Sequence, residues 1–150
     1  MVILFLDTSA IVKRYIAEAG SAHVNQILHE SNLSYISSLT LAEVTSALAR
    51  RMDAVAASNA QTQFDTDVRS SLITSGLDDA LVIQAVSLVQ RHRLRGCDSI
   101  QLAAASRVRQ AIIDTGVNAP LHFVCADDEL NHAAQIEGLL FDNPNTRAVP

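Results

Sequence analysis

The sequence predicts an α/β fold: a short, mostly parallel sheet flanked by helices in three layers, with a helical insertion in the middle. Three observations carry that expectation. Short apolar runs alternate with segments of helical periodicity along much of the chain, the order a parallel sheet with helices on its faces requires. The run Val2–Leu6 is apolar throughout, as a strand buried on both faces must be. It then stops on Asp7, a carboxylate at the carboxyl end of a strand, where sheets of this kind place their sites.

The elements follow in order. Val2–Leu6 is the first strand, and "TSAIVKRYIAEAG" continues at helical spacing with Gly20 as its stop. Ser21 can cap a second helix, "AHVNQILHES", before the strand candidate "LSYISS". Helices are then expected from Thr40 to roughly Met52, from Ala54 to Ile73 and from Asp78 to about Leu94. This middle region reads as all-helical. Gly96 breaks the pattern, "CDSIQLAAASRVRQAII" resumes it, and "LHFVCA" is the next strand. "DDELNHAAQIEG" is a short helix ending at Gly138, and "LLFD" is a last strand before Asn143-Pro144.

The bulk numbers narrow the class. A chain of 150 residues is the size of one domain, with no repeat or linker to divide residues 1–150. It is 49% hydrophobic and 18% charged, which excludes a disordered chain. No apolar run approaches the ~20 residues that span a bilayer, and no basic flank precedes the first one, so neither a membrane helix nor a signal peptide is expected. Cys97 and Cys125 show no CxxC spacing, and both read as reduced, buried structural thiols of a cytoplasmic protein. The net charge of −5 argues against nonspecific coating of nucleic acid but leaves room for a local basic track.

Four carboxylates fall where the pattern predicts proximity to one sheet edge: Asp7, Glu43, Asp98 and Asp127. Each has a local explanation. Asp7, Asp98 (with Gln101 reciprocal) and Asp127 can cap the helices they precede, and Thr40 with Glu43 has capping-box spacing. Four convergent acids also repel one another unless a cation joins them. Capping and ligation are compatible, because capping needs one oxygen of a carboxylate and leaves the other. Oxygen-only ligand sets suit hard divalent ions. The histidines, His23, His29, His92, His122 and His132, form no H-x-x-x-H pair, so no zinc site is indicated.

The segments "LDTSAIVKRY", "SSLTLAEVTSALAR", "LRGCDSIQLAAA", "FVCADDELNHAAQIEGL" and "NPN", in that order, together resemble the PIN-domain family, and most of all the bacterial toxin ribonucleases of the VapBC type. The resemblance covers nearly the whole chain. It implies a single PIN domain whose acidic positions are Asp7, Glu43, Asp98 and Asp127, with Thr8 or Ser9 as the small polar neighbour and Asp128 beside the last acid. It also implies a Mg²⁺- or Mn²⁺-dependent endoribonuclease, a homodimer, and a small antitoxin partner that lays a basic side chain across the acids. A dense carboxylate cluster that binds a divalent ion is what phosphodiester hydrolysis needs.

The run "RHRLR", with Arg91, Arg93 and Arg95, can be read as a phosphate track to the cut site or as cations favouring a helix C-terminus. The apolar faces of the helices between Leu39 and Leu94 exceed what a small sheet needs, which suggests a dimer or antitoxin surface. Two rival functions remain at this point: a catalytically idle PIN-like binding module, and a phosphatase using Asp7 as nucleophile. The latter usually has a second Asp two residues on, where this chain has Ser9.

Overall fold

The structure, a computed structural model, describes residues 1–146. Five strands, β1 (Ile3–Leu6), β2 (Leu33–Ser37), β3 (Leu72–Ser75), β4 (Leu121–Val124) and β5 (Leu140–Asp142), form one parallel sheet in the order β3-β2-β1-β4-β5. The central strand β1 is buried at every position. Its side chains alternate between two cores, as the two-residue period of a strand dictates. Ile3 and Phe5 face one side with Phe123, Leu81, Leu88, Leu102 and Leu130. Leu4 and Leu6 face the other with Ile11, Val24, Ile36, Val44, Leu48 and Phe64.

Those partners define the outer layers. On one face lie α1 (Thr8–Ile11), α2 (Ser21–Glu30), α3 (Ser38–Arg51) and α4 (Ala54–Ser70); on the other lie α5 (Asp79–His92), α6 (Gly96–Asp114) and α7 (Asp128–Ile136). The expected three-layer arrangement is therefore present. Because every strand is parallel, the loops after β1, β2 and β4 all emerge on one edge. Past the carboxyl end of β5, Gly20 (φ +87°) lies against Pro144, whose carbonyl oxygen would be 2.8 Å from any added Cβ. His23 bonds Asp142 at 2.7 Å nearby.

Several expectations are corrected. The middle region is not wholly helical: the helix expected to reach Ile73 stops at Ser70, and β3 follows as an edge strand. Only Leu72 of its four residues is buried, so the segment carries too little apolar pattern to read as a strand, and pairing with β2 decides it. The first helix is one turn, Thr8–Ile11, passing into a 3-10 turn at Val12–Arg14 rather than continuing to Gly20. Lys13, buried there, pairs with Glu18 at 2.9 Å. Gly96 opens α6 rather than breaking it, and Cys97 is exposed while Cys125 is buried.

The excess apolar surface expected on the middle helices is present. Val55, Leu77, Val82, Ile83 and Val86 are all exposed, Val55 and Ile83 to 73% and 70%. No helix of the described residues is long and apolar enough to cross a membrane.

Candidate active site

The common edge brings the four acids together by four different routes. Asp7 extends β1, its amide donating to the Val124 carbonyl at 2.9 Å. Glu43 sits in the second turn of α3, directly after β2. Asp98 is in the first turn of α6, and Asp127 ends the loop that follows β4. Helix N-termini of α1, α3, α6 and α7 face the same edge, and their dipoles soften the accumulated negative charge.

Asp7 is 5% exposed. Burial, together with the charges of Glu43 and Asp98, pushes its carboxyl above the ordinary value, and hydrogen bonds from Ser9 oppose the shift. Those bonds come from the Ser9 amide at 2.9 Å and the Ser9 hydroxyl at 2.5 Å, both to Oδ2. The same hydroxyl accepts from the Ala126 amide at 3.0 Å, so Ser9 ties the end of β1 to the loop after β4. Asp7 is thus the N-cap of α1. The Cys125 thiol, 3.7 Å from Oδ2, is held protonated by burial and by the Asp7 charge.

Glu43 is aimed by a network the sequence reading missed. The Thr8 hydroxyl is 2.5 Å from Glu43 Oε2, and the amide nitrogen of Gln101 is 2.9 Å from the same oxygen. That amide also reaches the hydroxyls of Thr8 and Thr40, each at 3.0 Å. Gln101 is 1% exposed and Thr40 is fully buried. The capping-box reading of Thr40 and Glu43 is therefore overturned. Ser37 caps α3, accepting from the Leu39 amide, which leaves Thr40 inside the helix. The clue was present in "DSIQLAAA", where a glutamine interrupts an otherwise apolar helical face; such a residue is buried only with partners.

Asp98 is not a cap. Arg95 occupies the N-cap position of α6, and its Nε donates to Asp98 Oδ2 at 3.0 Å. Arg95 also stands 3.9 Å from Asp127 Oδ2, with its side chain 81% exposed. Asp127 is a cap, as expected, its Oδ1 accepting from the Leu130 amide at 2.9 Å. Asp128, expected beside it, is turned away, accepting from the Asn143 amide at 2.8 Å. The arginine run is divided as well: Arg91 pairs with Glu137 at 2.9 Å, Arg93 takes the left-handed C-cap of α5 (φ 56°), and only Arg95 reaches the acids. Arg91 lies in the last turn of α5.

Each of the four carboxylates is thus fixed through one oxygen. Asp7 Oδ1, Glu43 Oε1 and Asp98 Oδ1 make no hydrogen bond among the described residues. In donor chemistry the set is entirely oxygen, which fits a hard divalent cation. As the side chains stand, no three His, Cys, Asp or Glu of the described residues are grouped closely enough to hold a metal; like charges stay apart, and Arg95 lies between Asp98 and Asp127. A cavity of about 680 Å³ at the opposite end of β2 and β3, lined by residues including Arg14, His29 and Asp67, contains none of these acids.

The PIN domain's sequence profile matches residues 4–116. This chain belongs to the PIN domain family. The match includes Asp7, Glu43 and Asp98 and ends before Asp127. No curated protein matches the chain in sequence. Among solved structures, this PIN domain is similar to FitAcB of Neisseria gonorrhoeae, with 17% identity, a TM-score of 0.66, and 96% of this chain and 99% of that one covered. It is also similar to VapC20 of Mycobacterium tuberculosis, a Sarcin-Ricin loop cleaving toxin, with 17% identity, TM-score 0.64, and coverage of 91% and 96%. A third similar structure is VapBC2 of Rickettsia felis bound to a DNA fragment from its promoter, with 17% identity, TM-score 0.61, and coverage of 95% and 98%. At these identities the likeness is one of fold.

Proposed function

We propose that this PIN domain is a Mg²⁺- or Mn²⁺-dependent endoribonuclease and the toxin of a toxin–antitoxin pair. The observation that carries the reading is the buried Asp7, set at one edge with Glu43 and Asp98, its carboxyl pushed up by burial and by their charges. Such a site gains most from a bound cation. Asp7, Glu43, Asp98 and Asp127 are the residues that would hold it. When bound, a divalent ion stabilises charge on the phosphate and makes water a stronger nucleophile near neutral pH.

The protein's own part is positioning. Ser9 fixes one oxygen of Asp7, and Thr8 with Gln101 fixes one oxygen of Glu43, so these two carboxylates are oriented before a cation draws the acids together. Arg95 is the cation beside the cluster and offers the forked donors that phosphate oxygens accept. The idle-module alternative fares less well, since a binding surface has no need of a buried glutamine orienting Glu43. The likeness to a toxin, VapC20, and to the VapBC2 assembly supports an antitoxin partner. The exposed apolar side chains of α5 offer surface for that partner or for a second copy in a homodimer. A cytoplasmic location belongs to the same reading.

The test is cleavage of single-stranded RNA with Mg²⁺ or Mn²⁺, repeated after exhaustive chelation while the circular dichroism spectrum is recorded. Cleavage should stop and the fold should persist. Cutting that continues without metal overturns the mechanism.

A further inference from the structure

A shallow groove of about 670 Å³ runs along α3 from the acid cluster. Thr8 and Glu43 form one end, Ala42, Ser46 and Ala47 the floor, and Arg50 with Arg51 the other end. Ala42, Ser46 and Arg50 form one i, i+4 row and Glu43, Ala47 and Arg51 a second, so the lining shares one helix face, and the floor residues are all small, so an extended chain can lie close to the helix. We propose that this groove seats the RNA strand beside the cut site, with Arg50 holding a phosphate other than the one cleaved. The proposal rests on the ribonuclease reading above and adds to it a binding track and its anchor.

The argument is one of charge. In a chain of net charge −5, five arginines are already paired: Arg14 with Asp67, Arg51 with Glu18, Arg91 with Glu137, Arg95 with Asp98 and Arg107 with Asp78. The Arg50 side chain has no hydrogen bond or ion pair among the described residues, yet it lines the same groove as Glu43. Seven residues of helix separate the two, a rise of about 10 Å. That is too far for one phosphate to meet both, and suited to neighbouring phosphates on one strand. No aromatic side chain lines the groove, so bases find no stacking platform there. The contact is with the backbone and carries little sequence preference.

The test is fluorescence anisotropy of short single-stranded RNAs across a salt series, using the full chain and its Arg50→Gln, Ala47→Glu and Arg107→Gln variants. All three replacements suit a helix. Arg50→Gln should weaken binding on the order of five-fold at low salt and flatten the slope of log affinity against log salt by about 0.7, the value of one single-strand phosphate. The loss should be similar for unrelated sequences. Ala47→Glu should weaken binding too, by placing an anion in the strand's path. Arg107→Gln, whose arginine is paired with Asp78 and lies outside the groove, should change the slope little.

Unchanged affinity and slope in Arg50→Gln overturn the proposal. Retained RNA affinity combined with lost affinity for polyglutamate also overturns it and assigns the groove to an acidic polypeptide. A wild-type chain that binds RNA but never cuts it fails the nuclease reading alone. One that binds no RNA fails both.

Discussion

Gln101→Met tests whether the buried amide positions Glu43. Methionine matches glutamine in length and helix propensity, so the change removes the donor and little else. The wild-type amide makes contacts of 2.9 Å to Glu43 and 3.0 Å to each of Thr8 and Thr40. A hydrogen bond to a charged group contributes about 1.5–3 kcal/mol and one to a neutral group about 0.5–1.5 kcal/mol. Thr8 still bonds Glu43 in the variant, and burying a thioether offsets part of the loss. The net cost is about 2–4 kcal/mol, which lowers the melting temperature of a chain this size by about 5–15 °C. Groups that orient a ligand typically contribute about 10–100-fold to metal affinity or activity. Titration calorimetry with Mn²⁺, run well below the melting point, should therefore show weakened binding alongside slower RNA cleavage. If Gln101→Met melts lower but binds Mn²⁺ as the wild type does, the network only supports the fold, and the positioning argument is refuted.

Two other perturbations follow from the same geometry. Asp98→Asn should cut cleavage by orders of magnitude and shrink the Mg²⁺-induced rise in melting temperature, since only a ligand bound to the native state stabilises it; because Asp98 is not the N-cap of α6 and its partner is the exposed Arg95, the metal-free melting point should change little, and an active variant with the wild-type Mg²⁺ shift would remove Asp98 from the site. Asp67 contributes to the pH response. Burial alone would raise its carboxyl, but the hydrogen bonds from Arg14 and Tyr15 outweigh burial and hold it below its ordinary 3.8. Its stabilisation is then complete above that ordinary value and is lost as pH falls through the lowered native one. Asp67→Asn should melt lower at neutral pH, and its melting temperature should decline less steeply in acid. Parallel melting curves across the acid range would disprove the assignment.

What the sequence determined by itself was local. Apolar runs mark β1 and β4, and an aspartate after each marks a site-bearing edge, because strand burial and helix capping depend on neighbours a few residues away. The caps at Asp7 and Asp127 were legible for that reason. The tertiary structure decided whatever depends on long separations. β3 exists because β2 offers it a ladder, not because "LITS" is strongly patterned. Gln101 meets Glu43 across 58 positions of sequence. It looked like the reciprocal partner of a cap at Asp98, since no local rule reports which residue a buried amide will face. The arginines show the same division: spacing alone presents Arg91, Arg93 and Arg95 as one track, whereas packing commits Arg91 to Glu137 and Arg95 to the acids. It also leaves the Arg50 side chain without an ion pair among the described residues, in the groove that Glu43 lines, because the choice among competing ion pairs is made by distances that only the folded chain sets.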